Sequence, residues 1–205
     1  MTEWVEAPAG GRDRGPRGIA RAWVEVMVRP GRFFENGVAP ADQAPGLVFA
    51  VVVSFLYVSG LLALDPGAVP EIGDGGVVSA TIVLTAVSLL LTPLSLHLLA
   101  AIQTVALVPL VRERAGIGET VQVLAYASAP CVFASIPLMP VRVASTAYAA
   151  VLLAIGLRVR HDTTTVRAIL SAVVPAAIIF GFAFGGFDAA SALVSIGNDG
   201  GLAGT

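Results

Sequence analysis

Lysine is absent from this sequence, and cysteine occurs once, at Cys131. Without lysine the chain cannot form the Gly-x-x-x-x-Gly-Lys-Ser/Thr loop that holds nucleotide phosphates. A single cysteine cannot form an internal disulfide, so it says nothing about the redox compartment. Charged residues make up only 13% of the chain, against roughly 25% in soluble domains. The net charge of −2 and the lack of a large basic stripe argue against nucleic acid as a partner.

What the chain has in abundance is apolar surface. Apolar residues account for 56% of the 205 positions. A soluble fold of this length has too little interior to hide them, whereas a lipid bilayer accommodates them on the outside of a helical bundle. The composition therefore predicts an all-α fold, a polytopic transmembrane helical bundle, with the lipid bilayer as its first partner.

Five apolar stretches predict five spans, at about residues 46–64, 77–111, 120–140, 143–157 and 166–184. About 20 apolar residues are needed to cross a bilayer. The second stretch is too long for one straight crossing, since it would reach roughly 52 Å as a helix. It is either one kinked span or two short spans that meet at Pro93. Together the spans predict a membrane domain over residues 46–185.

The arginines favour a single crossing by the second stretch. Cytoplasmic loops of membrane proteins are enriched in Arg and Lys. Six arginines precede the first span, which predicts a cytoplasmic N-terminus. One crossing by residues 77–111 then leaves only Arg142 outside, whereas two crossings would turn most later arginines outward. We expect a multi-pass protein of the cell membrane with an external C-terminus.

The segments outside the membrane domain have distinct compositions. Residues 1–18 are rich in Gly, Pro and Arg, which predicts a disordered arm. Residues 19–45 form an interfacial segment: its periodicity predicts a short amphipathic helix that ends at Pro30, and Phe33 and Phe34 are placed to dip into the headgroup region. The alternative is a small helix that folds back on the bundle. Residues 186–205 are predicted to be an external tail with one or two weak helical turns.

Groups that carry chemistry are rare inside the predicted spans. None of the five contains Asp or Glu, which proton- and ion-coupled transporters usually place in the membrane. His97 is the one ionisable group deep in a span, and it shares a helical face with Pro93 that we expect to turn toward the bundle. It is either a proton or ligand contact, or a neutral histidine bonded to a carbonyl freed by a nearby proline. We predict no catalytic residues, no cofactor and no metal.

Small residues recur along the fifth span. Ala168, Ala172 and Ala176 lie four residues apart, and Gly181 and Gly185 continue the pattern. Such faces let helices approach closely in lipid. They predict packing within the bundle, with homodimerisation as the alternative.

Four stretches, taken in order, resemble the Yip family of Ypt/Rab-interacting membrane proteins, and they cover about residues 27 to 185. The first contains Pro30, Phe33 and Phe34 and resembles the family's Pro-x-x-Phe-Phe entry segment. The second is 97–99, followed by the Gly116-x-Gly118 turn. The third, 125–130, resembles the family's Tyr-x-x-x-Pro signature. The fourth, 157–161, resembles its Leu-Arg-Val-x-His element.

The resemblance implies a small five-span membrane protein with a cytoplasmic N-terminus. Eukaryotic members bind Rab-type GTPases, but this chain has a short N-terminal arm and is more similar to prokaryotic members, so Rab binding is not carried over. The Tyr126–Pro130 element has a physical reading as well. Pro130 cannot donate to the carbonyl of Tyr126, so a kinked third span packed against a Pro93-kinked second span is expected to form a shallow cytoplasm-facing concavity.

Three functions remain open from the sequence. The first is a non-enzymatic protein that organises bilayer shape or binds a membrane-protein partner, or another copy of itself. The second is a permease or channel component with a path near His97, Gln103 and Thr104. The third, a membrane-embedded enzyme, requires a polar pocket that holds at least two of four side chains: His97, Ser59, Cys131 and Tyr126.

Overall fold

The computed structural model describes residues 3–6, 12–40, 42–73 and 75–202. Two short antiparallel strands, β1 (Glu3–Glu6) and β2 (Arg12–Arg14), precede two helices, α1 (Gly15–Val28) and α2 (Pro30–Asn36). Five helices that are long and apolar enough to cross a membrane follow, and a last helix, Gly186–Leu202, ends the described chain. We number the five as spans 1 to 5: Ala44–Leu64, Gly76–Leu107, Ile117–Ser135, Met139–Arg160 and Thr165–Ala183.

The all-helical membrane architecture predicted from the sequence is confirmed, with five candidate spans among the described residues. Their bounds differ by a few residues from the predicted ones. The most consequential difference is in span 3, which begins at Ile117 rather than at residue 120 and therefore contains Glu119. We expected no Asp or Glu within the five spans, and Glu119 shows that this expectation was wrong for span 3. A carboxylate is well placed in a first helical turn, where the helix dipole and free N–H groups favour negative charge.

Span 2 is one continuous helix and not two short spans that meet at Pro93. Its 32 residues would extend about 48 Å. Immediately before Pro93, residues Ala86–Leu91 widen into a π-helical turn. The backbone N–H of Thr92 donates to the carbonyl of Val87, and the Thr92 hydroxyl lies 2.8 Å from the same carbonyl. The wider turn accommodates Pro93, which has no N–H to donate to the preceding turn, so the helix continues.

Helix α1 folds back on the bundle. Its Gly18, Ala22 and Val26 form one buried face. The indole nitrogen of Trp23 donates to the carbonyl of Ala129 in span 3 at 2.8 Å, and the hydroxyl of Tyr148 in span 4 donates to the carbonyl of Met27 at 2.5 Å. Of the two alternatives for this helix, the structure shows packing on the bundle.

Both terminal predictions need correction. Within 1–18, the described residues include β1, β2 and the start of α1, where the sequence predicted disorder. Helix α1 begins within this segment, and its Gly18 is already buried against the bundle, although the Gly-, Pro- and Arg-rich composition predicted no helix there. At the other end, the predicted tail is a helix from Gly186. Its Ala189 is buried and its Phe187 ring lies over Gly181 of span 5, so the small residues here serve packing within the chain.

Pro175 inside span 5 leaves the carbonyl of Ser171 without its usual partner, because proline has no N–H. The side chain of Gln103 in span 2 is fully buried and its amide nitrogen donates to that carbonyl at 2.9 Å. A neighbouring helix therefore satisfies the freed acceptor, as lipid-embedded prolines require. This bond joins spans 2 and 5 across the bundle.

We predict that Gln103→Leu lowers the free energy of unfolding in detergent by about 1 kcal/mol, the usual worth of an interhelical hydrogen bond in membranes. In a Pro175→Ala background the restored N–H can serve Ser171, so the same substitution should then cost little. Equal costs in both backgrounds would contradict this reading of the bond.

Candidate functional site

Three of the stretches that resemble one family, together with the Gly116-x-Gly118 turn, meet at one end of the bundle, whereas residues 97–99 lie further along span 2. Phe33 of α2 lies edge-on to the ring of Tyr126 in span 3, with ring centroids 4.8 Å apart. Phe49 of span 1 contacts the same tyrosine ring at 5.0 Å. All three aromatic side chains are fully buried. The entry segment is therefore part of the core and does not lie loosely on the membrane surface.

Phe34 is buried as well, against a position where span 4 lacks a side chain. A Cβ at Gly156 would lie 3.0 Å from the Phe34 ring and 2.7 Å from Val123. Because the glycine leaves room, the phenylalanine ring can enter between spans 3 and 4. The expectation that Phe33 and Phe34 dip into the headgroups was wrong: both point into the bundle, where burial of such large rings is most favourable.

The guanidinium of Arg160, at the end of span 4, forms an ion pair with the carboxylate of Glu119 at the start of span 3. Both side chains are largely buried, with 17% and 11% of their surface exposed. Arg160 also donates to the carbonyl of Glu35 in α2 at 3.3 Å. One cation thus joins three separate parts of the chain.

The second carboxylate oxygen of Glu119 accepts from the backbone N–H of Gly116 at 3.0 Å, which closes the first turn of span 3. The family-like Gly116-x-Gly118 turn therefore begins the helix. Neither glycine is needed for space, since the nearest atoms to an added Cβ are 3.8 Å away at Gly116 and 4.0 Å away at Gly118.

Gln122, one turn further along span 3, attaches the chain that follows α2 to this span by two hydrogen bonds. Its amide nitrogen donates to the carbonyl of Ala39 at 2.7 Å, and its amide oxygen accepts from the N–H of Ala39 at 3.1 Å. The Gln122 amide thus pairs with both backbone groups of Ala39, as the backbone of a neighbouring β-strand would. It fixes the route from α2 into span 1.

His161 follows Arg160 and is 1% exposed. Its Nδ1 accepts from the backbone N–H of Ala115 at 3.2 Å, which places the ring proton on Nε2, 3.4 Å from the hydroxyl of Thr120. Burial lowers the pKa of the His161 imidazole from 6.5 to about 4, and the carboxylate of Glu119 opposes this shift without reversing it. The ring is therefore neutral at physiological pH.

We call these side chains the polar knot: Glu119, Gln122, Arg160 and His161. No sequence pattern identifies these four side chains as interacting groups. Arg160 and His161 lay within the recognised 157–161 stretch, and Glu119 stands three residues after Gly116, the spacing of a helix-capping pair. Those two signals were available, but neither shows that residues forty positions apart would meet.

His97 was expected to face the bundle, and this expectation was wrong. Its side chain is exposed on the outer surface of span 2, and its Nδ1 lies 2.7 Å from the carbonyl of Pro93. The buried face of the helix instead follows Leu96, Ala100 and Gln103. Because His97 is offset from that face, it bonds within its own helix.

Tyr126 faces the bundle and not the lipid, but the expected concavity is not open. Phe33 and Phe49 cover the tyrosine ring. From Ala129 the helix tightens into a 3₁₀ segment that contains the buried Pro130. The entry segment fills the space that a kinked span would otherwise leave.

The fold and the polar knot define a polytopic helical membrane protein whose amphipathic N-terminal segment is anchored to its bundle. A family model, the Yip1 domain, matches residues 24–187, which is most of the chain. The protein belongs to the Yip1-domain family. No curated protein and no solved structure matches the chain.

The buried neutral His161 predicts an acid-sensitive fold. Its folded pKa lies below the unfolded value, so its contribution to stability is complete above pH 6.5 and declines as the pH falls toward about 4. Between about pH 7.5 and 5.5 we expect a loss of about 1–2 kcal/mol in the free energy of unfolding.

Thermal unfolding in detergent at several pH values measures this loss. His161→Asn keeps an acceptor for Ala115 but cannot titrate, so it should remove most of the pH dependence in this interval. His97→Asn changes the exposed histidine and is the matched control, which should retain it. If both variants behave like the wild type, His161 is not the acid-sensitive group.

Proposed function

We propose that this Yip1-domain protein is non-enzymatic and that it organises bilayer shape or binds a membrane-protein partner, including a second copy of itself, through the end of the bundle that carries the polar knot. The observation that carries the proposal is the attachment of α2 to spans 3 and 4 by Arg160, Glu119 and Gln122. A partner would meet a rigid amphipathic segment whose orientation is fixed.

The charges at this end support the same proposal. Five exposed arginines lie on α2, in the loop before span 3 and around the turn between spans 4 and 5: Arg32, Arg112, Arg114, Arg158 and Arg167. Exposed guanidinium groups bind phosphates and carboxylates, whether of lipid headgroups or of a partner. We propose that this end is cytoplasmic in the cell membrane, because basic loops are retained on that side.

The other functions have less support. A path near His97, Gln103 and Thr104 would need polar groups that face a shared opening. His97 is instead exposed on the outer surface, and Gln103 is buried in its bond to Ser171. For an enzyme, the pocket residues do not gather either: five cavities among the described residues have linings that include none of His97, Ser59, Cys131 and Tyr126.

Reconstitution into liposomes that contain anionic lipid tests the proposal. We expect the wild-type protein to reduce mean vesicle diameter with increasing protein density, or a photo-crosslinker placed at Arg112 to capture one defined membrane protein in native membranes. Arg160→Gln should weaken either effect severalfold, because it removes the guanidinium that joins α2 to the ends of spans 3 and 4.

Arg158→Gln is the matched control, since it removes one exposed guanidinium from the same end without touching the knot, and it should retain most of the effect. Labelling of Glu113→Cys in a Cys131→Ala background, in inverted but not in intact membranes, verifies the orientation. A wild-type protein that neither alters vesicles nor yields a defined crosslink would refute the proposed function.

A further inference from the structure

A cavity of about 290 Å³ lies between spans 1, 2, 3 and 5, at the level of Thr92 and Ile179. It is remote from the polar knot. Spans 2 and 5 are joined further along by Gln103 and Ser171, and at the level of the cavity span 1 and Ser128 of span 3 form the floor between them. We refer to this space as the membrane cavity.

Two π-helical turns border the membrane cavity from opposite sides. In span 2 the turn Ala86–Leu91 contributes Val87 and Leu91 to the lining, and in span 5 the turn Ala177–Ala183 contributes Ile179 and Ala183. Such turns are rare, and they occur often at functional sites because they displace side chains from regular helical positions. Here both of them face the same space.

The polar groups of the lining can donate or accept hydrogen bonds. The hydroxyl of Thr92 lies 2.8 Å from the hydroxyl of Ser54 and 2.8 Å from the carbonyl of Val87. Thr92 has one proton for these two acceptors. If it donates to Val87, Ser54 donates to Thr92 and keeps lone pairs for a ligand. If it donates to Ser54, the Ser54 proton becomes free for a ligand.

Tyr57 supplies a further hydroxyl. Its ring packs edge-on against Phe184 at 4.8 Å, which fixes the direction of the side chain. Among the described residues the phenol oxygen has no hydrogen-bond partner, and Tyr57 is one of the residues that line the cavity. A buried or half-buried phenol usually finds a partner, so a ligand oxygen would complete its bonding.

The surroundings limit what can bind. No Asp, Glu, Lys, Arg or His lines the cavity as the structure describes it, and an ion without a counter-charge is costly at membrane depth. The floor, Ala50 and Ser128, is buried, whereas the rim, Leu91, Ser95 and Ala183, is exposed on the outside of the bundle. The cavity therefore opens sideways between spans 2 and 5, toward hydrocarbon and not toward water.

We propose that the membrane cavity binds the uncharged hydroxyl or carbonyl end of a neutral lipid, whose hydrocarbon chain leaves between spans 2 and 5. The hydroxyls of Tyr57, Ser54 and Thr92 hold its polar end. The site does not depend on the partner-binding function proposed above, because it lies at a different level of the bundle.

The test uses the full chain in nanodiscs with a diazirine-bearing diacylglycerol as the probe. Labelling should saturate with probe concentration, decline when unlabelled dioleoylglycerol is added, and map to peptides of spans 1, 2 and 5. The matching diazirine-bearing phosphatidic acid, which differs by a charged phosphate, should label these peptides at least about tenfold less.

Two variants link the labelling to the cavity. Tyr57→Phe removes only the phenol oxygen and should weaken probe binding by about fivefold to tenfold, as expected for one lost hydrogen bond. Ala183→Phe narrows the rim and should nearly abolish labelling. Ala101→Phe adds the same ring at an exposed position of span 2 that does not line the membrane cavity and is the matched control, with labelling like the wild type.

Unsaturable labelling, or equal labelling by the phosphatidic acid probe, would show ordinary lipid contact and overturn the proposal. So would wild-type labelling in both Tyr57→Phe and Ala183→Phe. Should Ala183→Phe fail to fold, the conservative Tyr57→Phe decides the question by itself, and an unchanged affinity in that variant would overturn the site.

Discussion

Glu119 and Arg160 are two opposite charges withdrawn from water where span 3 begins and span 4 ends. Such a pair stabilises a fold only if the ions meet each other and their remaining hydrogen-bonding groups are served. Here the carboxylate also accepts from the N–H of Gly116, and the guanidinium also donates to the carbonyl of Glu35, whereas the Nε of Arg160 is buried without a hydrogen-bond partner among the described residues. The position of α2, the burial of its two phenylalanines and the start of span 3 all depend on this arrangement.

The rest of the bundle follows a related constraint, the need to satisfy every backbone group away from water. At three irregular points in the helices a side chain supplies a hydrogen-bond donor. Gln103 serves the carbonyl freed by Pro175, Trp23 serves Ala129 where span 3 changes to a tighter helix, and Thr92 serves Val87 in the π turn. The bond from Gln103 also holds spans 2 and 5 together, and the bond from Trp23 also fixes α1 on span 3. The same side chains therefore satisfy irregular backbone and join separate helices.

The spans were predictable from the sequence because long apolar runs have few alternatives to crossing a bilayer. The direction in which His97 points was not predictable, because a periodic pattern shows which residues share a helix face but not which face meets a neighbouring helix. Span 2 is the least buried of the five, so most of its surface, His97 included, lies outside the bundle. The polar knot could not be predicted for another reason. In the sequence Glu119 and Arg160 are ordinary charges that flank apolar segments, and only the fold brings the two helix ends together.

A double-mutant cycle on Glu119 and Arg160 tests this account most directly. Glu119→Gln, Arg160→Gln and the double variant are compared by their free energies of unfolding in detergent. Each single change leaves one buried ion unpaired and should cost about 3 kcal/mol, whereas the double change should cost clearly less than the sum. Costs that add without coupling would contradict the view that this ion pair organises the end of the bundle.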